Sequence, residues 1–286
     1  MNRFFDAIGK VVWTGALAVV STALIGGVWT GLLVANLAST PAIPWSAGVM
    51  AAVLWAVWSY LGGKWRPERT SMARRQYLRA TSISGGMFAA AVSAGVLCIA
   101  ALSGVWIVLF QLVKMPGNGS LDFSHYSLAT VAATLVMAAL VGAVSEEAGF
   151  RGYFQGTLER YLPGPVAILI ASLVMAPEHA MTQGFVWPVL LFYLLVDWML
   201  GFCAFITKSI LPGIAIHAIG LLTFFALVWP HDKERAMVWQ HGADMWFWIH
   251  AAQGIGFGVL GIYLFVRLAR RTRGAASSPR AAFAAA

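Results

Sequence analysis

The chain has 286 residues, of which 60% are hydrophobic and only 10% are charged, and its mean hydropathy is +0.77. A soluble domain carries about 25% charged residues, so this composition excludes an ordinary water-soluble protein. The net charge of +8 would suit a nucleic-acid-binding protein, but the positions of the charges favour a membrane protein with membrane lipids, and no nucleic acid, as partners.

The chain contains eight apolar runs, and a transmembrane helix needs about 20 such residues. The runs are residues 11–37, 42–62, 84–113, 127–144, 164–175 continuing to about 181, 185–206, 209–229 and 245–268. They predict an all-α, polytopic transmembrane helix bundle with about eight spans. The first run is too long for a usual signal-peptide core, so we expect an uncleaved anchor. Pro116-Gly117-Asn118-Gly119 predicts a turn, and the tail after Arg273 has a disordered composition.

The basic residues are distributed unevenly between the two predicted sides of the membrane. With the N-terminus inside, 16 of the 19 Lys and Arg residues fall on the cytoplasmic side, including Arg151, Arg160 and Lys208. The other side receives Lys114, Lys233 and Arg235. This asymmetry follows the positive-inside rule and predicts that both termini are cytoplasmic.

We divide the chain into four parts on this basis. Residues 1–83 hold two spans and a basic cytoplasmic loop, and residues 84–126 hold the third span and an outer loop. Residues 127–229 hold four spans with unusual polar residues, and residues 230–286 hold the last span and a basic tail. Cys98 and Cys203 lie in apolar runs and are expected to be buried thiols rather than a disulfide or a metal framework.

Ionisable residues lie in or beside four of the last five spans. They are Glu146, Glu147, Arg151, Glu178, His179, Asp197 and His217. A charge at the centre of a bilayer costs about 2.5–3.5 kcal/mol even on lenient scales. A shared polar cavity is therefore the economical explanation for this set.

The adjacent glutamates Glu146 and Glu147 have different predicted partners. On a helix, Glu147 and Arg151 stand at positions i and i+4 and can pair on one face. Glu146 is rotated by about 100° from Glu147 and is left without this arginine, which suits a general base. The alternative is that both glutamates form a solvated helix end at the cytoplasmic interface.

His179 and His217 lie in different spans and extend this set toward a hydrolytic site. A carboxylate and an imidazole can hold and deprotonate one water molecule, while a second imidazole hydrogen-bonds the oxyanion of an attacked amide. Alternatively, Glu146, His179 and His217 could hold a divalent metal such as zinc, with the other glutamate as base. The spacing in the sequence does not separate these two schemes.

Three short motifs resemble those of the CAAX-protease and bacteriocin-processing family of intramembrane proteases, also called the CPBP or Abi family. Residues 146–151, Glu-Glu-Ala-Gly-Phe-Arg, resemble its Glu-Glu-x-x-x-Arg motif. Its Phe-x-x-x-His motif is matched by Met175 to His179, with Met in place of Phe. Its His-x-x-x-Asn/Asp motif is matched by His217 to Leu221, with Leu in place of the polar residue. The resemblance covers roughly residues 141–225.

The resemblance implies an intramembrane endopeptidase that cleaves a membrane-associated protein or peptide, in a multi-pass protein of the bacterial inner membrane. Glu146 and His179 would activate water, and His217 would help to bind the oxyanion. Glu147 would pair with Arg151 and hold the helix geometry.

Leu221 departs from the family pattern because leucine cannot donate a hydrogen bond. Losing one oxyanion donor costs about 10²–10³ in rate. Asp197 could compensate for this loss, although we favour a structural role for it, as the buried partner of a histidine.

Two other functions remain open at this point. Leu221 is compatible with a noncatalytic membrane scaffold or immunity protein that retains the fold. The carboxylates and histidines could also form the relay of a proton-coupled transporter, although such transporters more often show internal repeats, and the sequence shows none that is convincing.

The predicted depths of the site residues are in conflict. Glu146 falls near the cytoplasmic end of its span, whereas His179 falls toward the far end of the next one, and at 1.5 Å per residue these heights do not meet. A long or tilted helix, or a re-entrant segment near residues 163–165, would bring them together. If the site forms, we expect the helix boundaries around residues 145–165 to be wrong.

Overall fold

The computed structural model describes residues 2–40, 42–114 and 123–276, and every regular element among them is helical. The main helices are α1 Asn2–Leu37, α2 Trp45–Leu61, α3 Ser71–Leu78, α4 Gly85–Leu112, α5 Leu128–Leu158, α6 Gly164–Gln183, α7 Trp187–Thr207, α8 Leu211–Asp232 and α9 Met245–Ala276. The turn predicted at residues 116–119 and the tail beyond residue 276 lie outside the described residues.

The polytopic helical bundle is confirmed, but the number of long spans differs by one from the prediction. Seven of the described helices, α1 and α4 to α9, are long and apolar enough to cross a membrane. The second predicted span, α2, is apolar but has only 17 residues, which is at the lower limit for a bilayer. By length, the described residues therefore support seven spans, with α2 as the short eighth candidate.

Although α2 is short, it connects the two ends of the bundle. Just before α2, the carbonyl of Ala42 accepts a hydrogen bond of 2.7 Å from Thr130, close to the start of α5. Beyond α2, Tyr77 on α3 stacks on Tyr153 near the other end of α5, with 5.5 Å between ring centroids. The chain therefore returns after α2 to the end at which α5 finishes, as the predicted alternation of spans requires.

A network of charged side chains joins the connections at one end of the bundle, which we call the basic end. Arg79, after α3, binds Glu159, after α5, at 3.1 Å, and Lys208, after α7, binds the same carboxylate at 3.3 Å. The backbone N–H of Ile210 donates to the carbonyl of Arg79 at 3.1 Å. The positive-inside rule predicts that this end faces the cytoplasm. We call the other end, where α5 begins and α6 finishes, the opposite end.

The end of helix α5 differs from the sequence-based prediction, in the region around residues 145–165 where we expected the predicted helix boundaries to be wrong. The helix does not finish at Glu146 but continues to Leu158 through a π-helical stretch, Glu147–Phe154. The charge of Arg151 does not end it, because this side chain is buried and paired with acidic groups. Arg151 is therefore not a residue of the cytoplasmic surface, which leaves fifteen of the sixteen basic residues assigned there.

Glycines allow several of the helices to approach closely. A Cβ atom at Gly152 would lie 2.8 Å from the carbonyl oxygen of Leu78, so α3 packs directly on the π-helical stretch. A Cβ atom at Gly104 of α4 would lie 2.6 Å from the carbonyl oxygen of His250 on α9. Both cysteines are free, but only Cys203 is buried, whereas Cys98 is partly exposed. The expectation of two buried thiols was therefore wrong for Cys98.

Candidate active site

The carboxylate of Glu146 lies between two imidazole rings that come from different helices. Its Oε2 atom is 3.5 Å from Nε2 of His217 on α8 and 3.8 Å from Nε2 of His179 on α6. The three helices α5, α6 and α8 thus bring together the three residues that the sequence predicted for water activation and oxyanion binding.

The continuation of α5 explains how these residues reach the same depth. Twelve residues of α5 follow Glu146 before the helix finishes at Leu158, so the carboxylate lies in the interior of the bundle rather than at its cytoplasmic surface. Helix α6 begins at Gly164 and carries His179 one turn before its last residue, Gln183. No re-entrant segment is needed. The alternative of two glutamates in a solvated helix end is wrong, because Glu147 is fully buried.

Behind the site, a buried ion-pair network joins α5 to α7. Arg151 lies between two carboxylates, at 2.7 Å from Asp197 and 3.6 Å from Glu147. The sulfur of Met175, at the position where the family has Phe, lies 2.7 Å from the same guanidinium. The side chains of all three ionic residues are at most 2% exposed. The structure therefore gives Asp197 an arginine as its partner, where a histidine was expected.

Glu147 contacts His217 as well as Arg151. Its Oε1 atom lies 3.2 Å from Nδ1 of the imidazole, on the side of the ring that faces away from Glu146. Gly213, one turn before His217, makes room for this carboxylate, because a Cβ atom there would lie 2.5 Å from Oε2 of Glu147. Glu147 thus links the arginine network to the histidine that flanks Glu146.

Glu146, His179 and His217, which we call the acid–imidazole cluster, form part of the wall of a cavity of about 610 Å³. Glu146 and His179 keep 15% and 17% of their side-chain surface exposed, whereas His217 keeps 6%. Most of the remaining lining is apolar or aromatic, and it includes Leu221 and Phe224. A cavity of this kind can hold an apolar peptide segment next to water and a carboxylate.

Two further residues of the site were missed by the sequence reasoning. The ring of Tyr193 on α7 stacks on that of His179, with centroids 4.0 Å apart and planes inclined by 11°. The amide of Gln183 donates a hydrogen bond to the Tyr193 hydroxyl. Their spacing in the sequence could have indicated that they belong to the site. Gln183 follows His179 by four residues, and Tyr193 precedes Asp197 by four, so each pair lies on one face of its helix.

The predicted metal ligands are Glu146, His179 and His217. Within residues 2–40, 42–114 and 123–276, no group of three or more His, Cys, Asp or Glu side chains has a geometry that could hold a metal ion. Glu146, His179 and His217 are close, but as placed they do not fit as a ligand set. The zinc scheme therefore stays a prediction to be tested.

An integral multi-pass helical bundle with an acid–imidazole cluster beside an interior cavity has the features of an intramembrane protease fold. The sequence model of a family described as "Type II CAAX prenyl endopeptidase Rce1-like" matches residues 128–223. This segment covers about one third of the chain, runs from the start of α5 to Thr223 in α8, and includes all three motifs. The match confirms the resemblance for this segment. Neither curated proteins nor solved structures yielded a match.

Proposed function

We propose that the protein is an intramembrane endopeptidase that hydrolyses a peptide bond with a water molecule activated by Glu146 and His179. The observation that carries this proposal is the position of the Glu146 carboxylate, within 4 Å of two imidazoles and at the wall of a largely apolar cavity. Carboxylates and imidazoles are the usual groups for moving protons in hydrolysis.

The proposed reaction begins with a water molecule held between Glu146 and His179. Glu146 takes a proton from the water, and the resulting hydroxide attacks the carbonyl carbon of the scissile bond. The tetrahedral intermediate carries a negative oxygen, to which His217 donates a hydrogen bond. When the C–N bond breaks, Glu146 returns the proton to the departing nitrogen, so that a carboxylic acid and an amine are released. The acid then passes its proton to the amine, which gives a carboxylate and an ammonium group.

Glu147, Arg151 and Asp197 serve as positioning residues in this proposal. A neutral imidazole that donates from Nδ1 to Glu147 leaves Nε2 as an acceptor. A ring protonated on both nitrogens can donate to Glu147 and to the oxyanion at once. The ion pairs of Arg151 hold Glu147 in place for this contact.

The family match supports peptide-bond hydrolysis as the reaction class, since the matched family is described as one of prenyl endopeptidases. We expect the protein to act in a bacterial inner membrane on a membrane-associated protein or peptide. Prenylated CAAX proteins and bacteriocin-like peptides are both candidates for this substrate.

The proposal is tested by incubating the purified protein, in detergent and in liposomes, with a panel of apolar peptides and identifying new termini by mass spectrometry. We expect cleavage that survives a chelator. Cleavage abolished by the chelator and restored by zinc would replace the water scheme with the metal scheme. Proton-coupled uptake of peptides without cleavage would contradict the proposal in favour of a transporter, and binding without cleavage would favour a scaffold.

A further inference from the structure

Among the described residues, the lining of the cavity extends from the acid–imidazole cluster toward the opposite end of the bundle. Its lining runs through Leu135, in the first turns of α5, and reaches Gln183, the last residue of α6. It also includes Leu33 near the end of α1 and Pro230 near the end of α8. All four positions belong to the opposite end of the bundle, away from Arg79, Glu159 and Lys208.

Toward the basic end, packed polar side chains close off the site. The ion pairs of Arg151 with Glu147 and Asp197 lie on the side of the cluster that faces the basic end, and their side chains are almost fully buried. Closer to the basic end, the buried amide of Gln155 donates a hydrogen bond of 2.9 Å to the carbonyl of Gly201. The Arg79–Glu159 pair follows at the end of α5. Water and substrate therefore have their route to Glu146 through the cavity and not through this layer.

The distribution of charge assigns the two ends to the two sides of the membrane. Within residues 2–40, 42–114 and 123–276, fourteen basic residues belong to the basic end, whereas Lys114, Lys233 and Arg235 belong to the opposite end. Of these three, Arg235 pairs with the buried Asp232 at 3.2 Å. Since basic segments are retained in the cytoplasm, the cavity opens on the non-cytoplasmic side.

We propose that the substrate is an apolar peptide segment exposed on the non-cytoplasmic side of the membrane, and that it enters the cavity from that side. The apolar and aromatic lining, which includes Phe192 and Phe225, favours such a segment over a charged one. This inference rests on the proposed peptidase function for the cleavage itself, but the direction of the opening follows from the fold and the charges alone.

The direction is tested with single cysteines in a background from which Cys98 and Cys203 are removed as Cys98→Ser and Cys203→Ala. Leu135→Cys reports on the cavity, Trp239→Cys on the exposed surface of the opposite end, and Arg160→Cys on the exposed surface of the basic end. Each variant is treated with a membrane-impermeant maleimide in right-side-out and in inside-out vesicles. Leu33→Cys serves as a second cavity position should Leu135→Cys fail to fold.

We expect the cavity cysteine and Trp239→Cys to react in right-side-out vesicles, and Arg160→Cys to react in inside-out vesicles. Labelling of the cavity cysteine together with Arg160→Cys would overturn the inference. So would a cavity cysteine that is inert from both sides, or a reversal of the two surface controls.

A second measurement separates this inference from the proposed function. Apolar peptides are added to the outside of vesicles that contain the wild-type protein, and cleavage is expected in right-side-out vesicles alone. Cleavage in inside-out vesicles alone would overturn the inference while supporting the peptidase. Absence of cleavage in both preparations, with the expected labelling pattern, would refute the peptidase and with it the substrate, but not the direction of the opening.

Discussion

Glu147 lies 3.2 Å from Nδ1 of His217, so the second glutamate of the Glu-Glu pair contacts a histidine as well as an arginine. The sequence suggested that Glu147 serves mainly to neutralise Arg151 on one face of a helix. In the structure it also orients the ring that stands beside Glu146. The two adjacent glutamates thus contact opposite nitrogens of the same imidazole.

Replacing Arg151 with methionine should destabilise the protein by about 3–5 kcal/mol, because two buried carboxylates then lose their cation. The change is measured as the free energy of unfolding, or as the loss of thermal stability in detergent. Adding Asp197→Asn to this variant should recover part of the loss, since it removes one of the two unpaired charges.

Arg69→Met is the matched control for the Arg151 variant, because Arg69 is exposed in the short 3-10 helix Glu68–Thr70 before α3. It should change the stability by less than about 0.5 kcal/mol. Equal stability of Arg151→Met and Arg69→Met would contradict the view that the buried ion pairs hold α5 and α7 together.

Gly213→Ala should disturb the site, because the added methyl group would stand 2.5 Å from Oε2 of Glu147. The carboxylate must move away from its contacts with His217 and Arg151, and we expect at least about a tenfold loss of kcat, which corresponds to about 1.4 kcal/mol. Gly256→Ala on α9 is the control, since no atom lies within 4 Å of its Cβ position. If both variants kept wild-type kcat, Glu147 would not be a positioning residue.

Leu221→Asn should raise the rate of peptide hydrolysis. Leu221 lines the cavity at the position where the family motif has Asn or Asp, and an oxyanion donor is worth about 10²–10³ in rate. The comparison is with Leu221→Ala, which removes the bulk of the side chain without adding a donor. An equal gain for the two variants would show that space, rather than a missing hydrogen bond, limits the wild-type enzyme.

The network at the basic end should make stability depend on pH. Burial acts to raise the pKa of Glu159, but the charges of Arg79 and Lys208 and the hydrogen bond from Gln155 lower it below the usual value of 4.5. A lowered folded-state pKa means that the stabilisation is complete above the pKa of the unfolded chain. It is then lost as the pH falls through the folded-state value.

Glu159→Gln should therefore reduce stability by about 1–3 kcal/mol at neutral pH, and the deficit should shrink as the pH falls below about 4.5. Thermal unfolding at a series of pH values measures this. Glu68→Gln, at an exposed position, should follow the wild type throughout. A deficit that stays constant with pH would show that the charge of Glu159 does not contribute.

Most of the fold could be predicted from the sequence because apolar segments of bilayer length are a strong signal. The boundary of α5 could not, since Glu146, Glu147 and Arg151 read as the polar end of a span. Their partners, His217 and Asp197, lie far away in the chain, and pairing with them is what lets α5 continue to Leu158.

The site was predicted in part. Motif residues identified the cluster of Glu146, His179 and His217, whereas the stacking of Tyr193 on His179 depends on the packing of α6 against α7. The pairing of Asp197 with Arg151 likewise depends on packing, since the two residues are 46 positions apart in the chain. Short-range spacing cannot report such contacts.

The most direct test of water activation by Glu146 compares kcat/KM for peptide hydrolysis by the wild type, Glu146→Gln and Glu178→Gln. Glu178 is the control because it precedes His179 and is partly buried but does not line the cavity. We predict a loss of about 10²–10⁴ for Glu146→Gln, the usual contribution of a general base, and less than about a twofold change for Glu178→Gln, with both variants folded. A Glu146→Gln variant as active as the wild type would contradict the account.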